Sequence, residues 1–236
     1  MVNQAGSSIL SQQLLLSVVE QLKLPLLQIA RHAEHGQMGG KVDNDDIVNT
    51  ADNALYLLES YSLGVRLSLY PQQLDYEPVS ISSILYDTAQ QLNNYAKSYG
   101  VGLEINVAGR FGPVLVHRKG LQAALVSLGA ALIEALPALE SRQLTLQLAT
   151  HNCRYGVVAG LYTDTEQLTS DTLRRGRQLQ GKARQPLSGF SHNNGAGIFV
   201  ADAILQAMKL ELKVSRHHCL YGLGTVLQSS NQLQLV

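Results

Sequence analysis

With 236 residues, 45% of them apolar and 15% charged, the chain has material for one large or two small domains around a real core. Eighteen Lys and Arg balance eighteen Asp and Glu, so no net charge points to nucleic acid or to an anionic membrane surface. No apolar run reaches the ~18–20 residues of a membrane span, the N-terminus lacks the basic-then-apolar order of a signal peptide, and Cys153 and Cys219 read as reduced thiols of a cytoplasmic protein.

Residues 9–37 read as one long helix, with Ser7 or Ser8 available to cap it. Leu10, Leu14, Val18, Leu22, Leu26 and Ile29 recur at three- and four-residue steps, and Pro25 inside that stripe predicts a bend. Gly36, Gly39 and Gly40 end the helix, and the run Asp43-Asn44-Asp45-Asp46 opens a second one. The second helix spaces Ile47, Ala51, Ala54, Leu58, Tyr61 and Val65 as a heptad seam. The two helices predict an antiparallel hairpin over residues 1–70. A hairpin this long cannot bury both stripes on itself, so a four-helix bundle formed by a homodimer through residues 8–68 is expected.

Residues 71–236 read as a second domain. Leu74–Val79 reads as a short extended connection or an edge strand, and Ser80 caps a helix to about Tyr99 that Gly100 closes. Strands follow at Val101–Val107 and Val114–Val116, then a helix from Arg118 to Leu136. Two more strands, Gln143–Ala149 and Tyr155–Thr163, flank a turn containing Asn152. Residues 172–201 lack strong periodicity and carry Arg174, Arg175, Arg177, Lys182 and Arg184 with no acidic residue. Next comes Asn193-Asn194-Gly195-Ala196-Gly197. Two glycines one residue apart allow close backbone approach, and a helix opening there aims free N–H groups at whatever lies before it, which suits a phosphate. The helix precedes strands at Leu210–Val214 and Tyr221–Leu227, with His217-His218-Cys219 in the expected turn between them. Adjacent residues rarely converge on one ion, so that cluster is not read as a metal site. The order predicts an α+β protein: a helical hairpin followed by a two-layer α/β sandwich.

Two resemblances attach to this order. The hairpin is similar to the dimerisation and phosphotransfer domain of sensor histidine kinases, because Leu22-Lys23-Leu24-Pro25-Leu26-Leu27-Gln28-Ile29 follows that family's L-R-T-P-L-x-x-I. The glycine turn, helix and closing strands resemble the family's ATPase domain, a fold shared with gyrase, a heat-shock chaperone family and mismatch-repair ATPases (the GHKL type). The resemblance implies that the phosphorylated histidine would lie five residues before the proline, where this chain has Glu20. His32 and His35 are the alternatives further along the helix, as displaced phosphoacceptors or as solvated side chains near its end.

The resemblance also implies a magnesium-binding asparagine on the helix from Arg118, and aligning the leucines puts Ala131 there. Alanine has no oxygen for a hard cation. Glu134, one turn away, could substitute or could be an ordinary exposed helix residue. The family's D-x-G-x-G becomes Asp164-Thr165-Glu166-Gln167-Leu168, with the aspartate kept and both glycines replaced. Asp164, Asn194, Gly195 and Gly197 are therefore the nucleotide-binding candidates, for ATP with magnesium if either binds, and the basic segment corresponds to a lid over ATP.

Three readings follow. One is a degenerate histidine kinase, a dimeric scaffold that does not autophosphorylate at the usual position. Its partner surface is Glu20, Lys23, Leu24 and neighbouring apolar residues, and its partner is a receiver-like protein of a response regulator. Another is a working kinase or phosphotransfer protein using His32 or His35. The third is an ATP-binding regulator without transfer chemistry. No sensor domain is apparent before the hairpin, so the signal is expected to come from a separate protein or ligand.

Overall fold

The computed structural model describes residues 19, 22–23, 25–41, 44–70, 74–107, 109–136, 144–165 and 195–229. Helix α1 covers residues 25–37, with residues 19, 22 and 23 helical before it, so Pro25 lies within helical backbone. Gly39 takes a positive φ of 78° just past its end, the left-handed conformation a glycine tolerates best. Helix α2 is Asn44–Leu69, as the seam predicted.

Strand β1 (Glu77–Val79) pairs antiparallel with β3 (Val114–Val116), forming a two-stranded sheet. Between them run helix α3 (Ile81–Ser98) and strand β2 (Gly102–Val107). Gly100, with φ 68°, turns α3 into β2. Helix α4 (Arg118–Ala135) is buried along most of its length, which is why its apolar residues surround it instead of forming one stripe. His117 caps it: its Nδ1 accepts a hydrogen bond from the Gly120 N–H at 2.9 Å.

Strands β4 (Thr145–Cys153) and β5 (Gly156–Thr163) form a hairpin. Its turn falls at Arg154–Tyr155, not at Asn152, which stays in β4 opposite Val157. Gly156, at φ 141°, supplies the conformation the tighter turn needs, and its Cα faces the Leu227 carbonyl so closely that a Cβ would lie 2.2 Å from it. Helix α5 (Gly195–Ala207) and strands β6 (Leu212–His217) and β7 (Leu220–Leu227) complete the chain. The β6–β7 turn is at His218–Cys219, so His217 is a strand residue and not part of the turn.

The main sheet has the order β2-β4-β5-β7-β6, with β2 and β4 parallel and every other pair antiparallel. One face carries the helices. A Cβ at Gly129 of α4 would meet Leu92 of α3 at 2.3 Å and Leu161 of β5 at 3.1 Å, which places α4 against α3 and the sheet together. Ile84, Leu85, Leu121, Leu132, Leu148 and Leu161 are fully buried between these layers. Each such side chain contributes about 1.5–3 kcal/mol relative to exposure.

Helix α2 does not turn its whole seam toward α1. Tyr61 and Leu67 belong to the same buried core as the sandwich, and Ala54, Ser60 and Gly64 are also buried. Gly64 permits the approach to α5, where a Cβ would come within 3.1 Å of Ile204 and 3.4 Å of Val200. Leu58, at the expected centre of the seam, is 37% exposed. Part of the apolar stripe of α2 therefore packs on α4 and α5. Near the other end of α5, the Tyr76 hydroxyl donates to the Met208 carbonyl at 3.3 Å, tying the segment before β1 to that helix.

Candidate nucleotide and phosphotransfer site

Helices α4 and α5 cross with almost no gap. A Cβ on Gly197 would lie 2.4 Å from the Ser127 carbonyl oxygen and 3.0 Å from the Ala131 Cβ. Gly197 sits inside the first turn of α5, not before it, so what demands a glycine there is the α4 backbone. Ala131 has no exposed surface at all. A longer side chain at 131 would have to displace α5 or turn back on α4.

One turn along α4, Glu134 is half-buried, not the ordinary exposed helix residue expected. Its carboxylate oxygen Oε1 accepts a hydrogen bond from the Tyr95 hydroxyl of α3. Tyr99 packs beside Tyr95 with ring centroids 5.1 Å apart. Burial is the main cause that pushes the Glu134 carboxyl up to about 7, and the Tyr95 bond acts the other way. Burial first and Glu134 second raise the Tyr61 and Tyr95 phenols as well. The sequence held a signal for this site: beyond Lys119, Glu134 is the one charged residue in α4.

The opposite face of the sheet holds a second group. Leu161 faces α4, so by alternation Tyr162 points away from the helices. Its side chain lies over Gly160 and Gly222, where a Cβ would come within 2.7 Å of it, and its hydroxyl meets Ser215 Oγ at 3.2 Å. His151 of β4 stacks on His217 of β6 at 5.3 Å, and His218 meets His217 edge-on at 4.4 Å. Nδ1 of His151 and Nε2 of His217 are buried with no hydrogen-bond partner. Burial first, then His218, keeps both imidazoles below their usual pKa, and His217 is further lowered by His151. Among the described residues no three His, Cys, Asp or Glu are grouped to hold a metal ion.

No protein-family model matches the sequence, and no curated protein does. Solved structures do. The histidine kinase AdeS of Acinetobacter baumannii is 14% identical with a TM-score of 0.51, over 89% of this chain and 98% of that one. Full-length ShkA, solved in complex with AMPPNP, is 17% identical with a TM-score of 0.55, over 93% of this chain and 46% of that one. A bacterial phosphotransferase is 11% identical with a TM-score of 0.52, over 92% of this chain and 95% of that one. The fold is that of a histidine kinase catalytic core.

On that fold the expected site residues separate into three groups. Glu20, Leu24, Asn194 and the basic segment at 172–194 lie outside the described residues. Lys23 and His35 are exposed, while His32 is half-buried. Asp164 follows β5 and is half-buried, its Oδ1 accepting from Thr163 Oγ1 at 3.5 Å. Gly195 and Gly197 open α5, and Gly197 is pressed on α4.

The fit to magnesium can be judged at α4. Ala131 supplies no oxygen, and the Glu134 carboxylate is directed to Tyr95 of α3. The described residues of α4 therefore do not fit the cation the kinase fold implies. No helix among the described residues is long and apolar enough to cross a membrane.

Proposed function

We propose that this is a degenerate histidine-kinase-like signalling protein, a dimeric scaffold that binds a receiver-like partner and does not autophosphorylate at the usual position. The observation that carries it is the α4–α5 crossing. Where the kinase fold needs an oxygen ligand beside the nucleotide phosphates, an alanine lies wholly buried against a glycine backbone. Glu20 at the phosphoacceptor position supports the same reading from the other domain. A carboxylate cannot accept and hold a phosphoryl group as an imidazole does.

The hairpin supplies the binding surface in this proposal. Leu26, Leu27, Val48 and Leu55 are all more than half exposed, apolar surface that a partner helix would cover. A homodimer through residues 8–68 covers part of that surface, and Glu20, Lys23 and Leu24 form the partner-facing edge. The carboxylate of Glu20 stands where a phosphohistidine would, with less charge and fewer acceptor oxygens.

Incubation of the protein with radiolabelled ATP and magnesium tests the reading. It should leave the chain unlabelled, while light scattering at micromolar concentration gives a dimer mass. Acid-labile label that disappears in His32→Ala would replace this reading with a relocated phosphoacceptor, and a monomer mass would remove the scaffold.

A further inference from the structure

We propose that the His151–His217 imidazole stack is an acid-sensitive clasp that holds the end of strand β6 on the outer face of the main sheet and lets it go when the stack takes up a proton. The stack joins strands that are not neighbours. β5 and β7 lie between β4 and β6, so the two imidazoles meet across the width of that face. His217 is buried, and its ring also meets Tyr162 at 5.4 Å and His218 at 4.4 Å. Nε2 of His217 and Nδ1 of His151 have no hydrogen-bond partner and essentially no exposed surface. A neutral imidazole tolerates this, because one of its nitrogens carries no hydrogen. In the imidazolium both nitrogens donate. The buried one is then a charged donor without an acceptor until the rings part and admit water.

Among the described residues only imidazoles act on the charge of the stack. Burial first, then His218, opposes a proton on either ring, and His151 opposes it on His217 as well. β5 brings Tyr162 to this face, and β7 brings Leu220 and Gly222 opposite His217 and Ser215. Further along β6, Lys213 is paired with Glu211 at 3.0 Å, and Cys153 follows His151 on the same face of β4.

The two sides of the stack are not equally free to move. β4 is hydrogen-bonded to β2 on one side and to β5 on the other, whereas β6 is an edge strand paired with β7 alone. His217 is the last residue of β6 and adjoins the His218–Cys219 turn. The rings therefore part by displacement of that end of β6 with its turn. The contact of Ser215 Oγ with the Tyr162 hydroxyl is lost with it, which uncovers the tyrosine lying over Gly160 and Gly222.

The sign follows from the lowered imidazoles. Both lie below their ordinary 6.5 in the closed state, so the clasp is complete above that pH and is lost as pH falls below it. If one proton must enter to open the stack, the closing constant falls about tenfold between roughly pH 7.5 and 5.5.

Hydrogen exchange of the full chain across that range, corrected for the intrinsic pH dependence of exchange, tests the clasp. Protection of amides 214–218 should fall about tenfold in acid, while the amides of β4 and β5 keep theirs. In the double variant His151→Phe, His217→Phe, which keeps two aromatic rings and takes no proton there, amides 214–218 should stay equally protected across the range. A flat wild-type profile, an unchanged slope in the variant, or equal loss in β5 overturns the proposal. Proton NMR of the wild-type imidazoles gives an answer that does not depend on the variant folding. A His217 midpoint below about 6.5 supports the clasp, and one at or above it rejects it.

Discussion

The two sides of the main sheet bury titratable groups in opposite ways. On the helix side a carboxyl sits among phenols, and on the other side imidazoles stack on one another beside Tyr162. Neither group is described with a counter-charge. Burial opposes charge in both places, but acid neutralises a carboxyl and charges an imidazole. The same desolvation therefore makes the helix side tighter in acid and the sheet side weaker in acid. Charge sign, and not depth of burial alone, decides which half of the molecule yields first as pH changes.

The largest effects should come from the glycines that let each side close. Gly222→Ala would set a Cβ 2.0 Å from the Leu161 carbonyl oxygen and 2.7 Å from the Tyr162 ring. Gly197→Ala would set one 2.4 Å from the Ser127 carbonyl oxygen. Each should destabilise by about 3 kcal/mol, with Gly222→Ala the worse because it strikes backbone and ring together. Thermal unfolding of both variants, read as a fall of roughly 10 °C in Tm, checks this. A Gly197→Ala protein as stable as wild type would mean that the helix crossing is looser than the sheet face.

Next in size is the pH profile of stability. A raised carboxyl contributes stability that is complete below the unfolded value and is lost as pH rises through about 7. Its full span is on the order of 3 kcal/mol. Glu134→Gln should remove that decline, which runs from about pH 4.5 to 7, in urea unfolding. Depressed imidazoles do the reverse: their contribution is complete above the unfolded value near 6.5 and is lost as pH falls below it. His217→Phe keeps an aromatic ring in the stack and removes a buried unpartnered nitrogen. It should flatten the decline in acid, with a larger gain near pH 5.5 than at pH 8. If both variants alter the same limb, the contrast between the two faces is wrong.

The smallest effect separates a histidine on the helix side from the stack. His117 can accept from the Gly120 N–H only while Nδ1 is unprotonated, and burial keeps its pKa low. His117→Asn retains a capping oxygen at every pH. It should therefore flatten about 0.5–1 kcal/mol of the acid limb in the same urea series. A change as large as that from His217→Phe would move the acid sensitivity from the sheet face to the α4 cap.

Much of the architecture was legible in the sequence. Helices α2, α3 and α4 and the strands β1 to β3 lie close to where periodicity, glycine stops and prolines put them, since these signals are local. The Asn152 turn and the His217 turn were misplaced for a local reason too. A polar residue in a strand reads as a turn until its register partner is known, and Asn152 and His217 are both paired across the sheet. The start of α5 at Gly195 and Gly197 was legible too, because a motif fixes spacing in the chain.

What the chain alone determined, then, is the order of the elements. Tertiary structure decided the rest. Gly197 is held by a helix backbone that a G-x-G motif cannot reveal, and Tyr61 of α2 joins the core of the sandwich. Two histidines 66 positions apart share one stack. Spacing within a helix or strand tells which side chains share a face. What that face meets depends on surfaces contributed by distant segments, and both pKa direction and close-packing demands arise only where those surfaces touch.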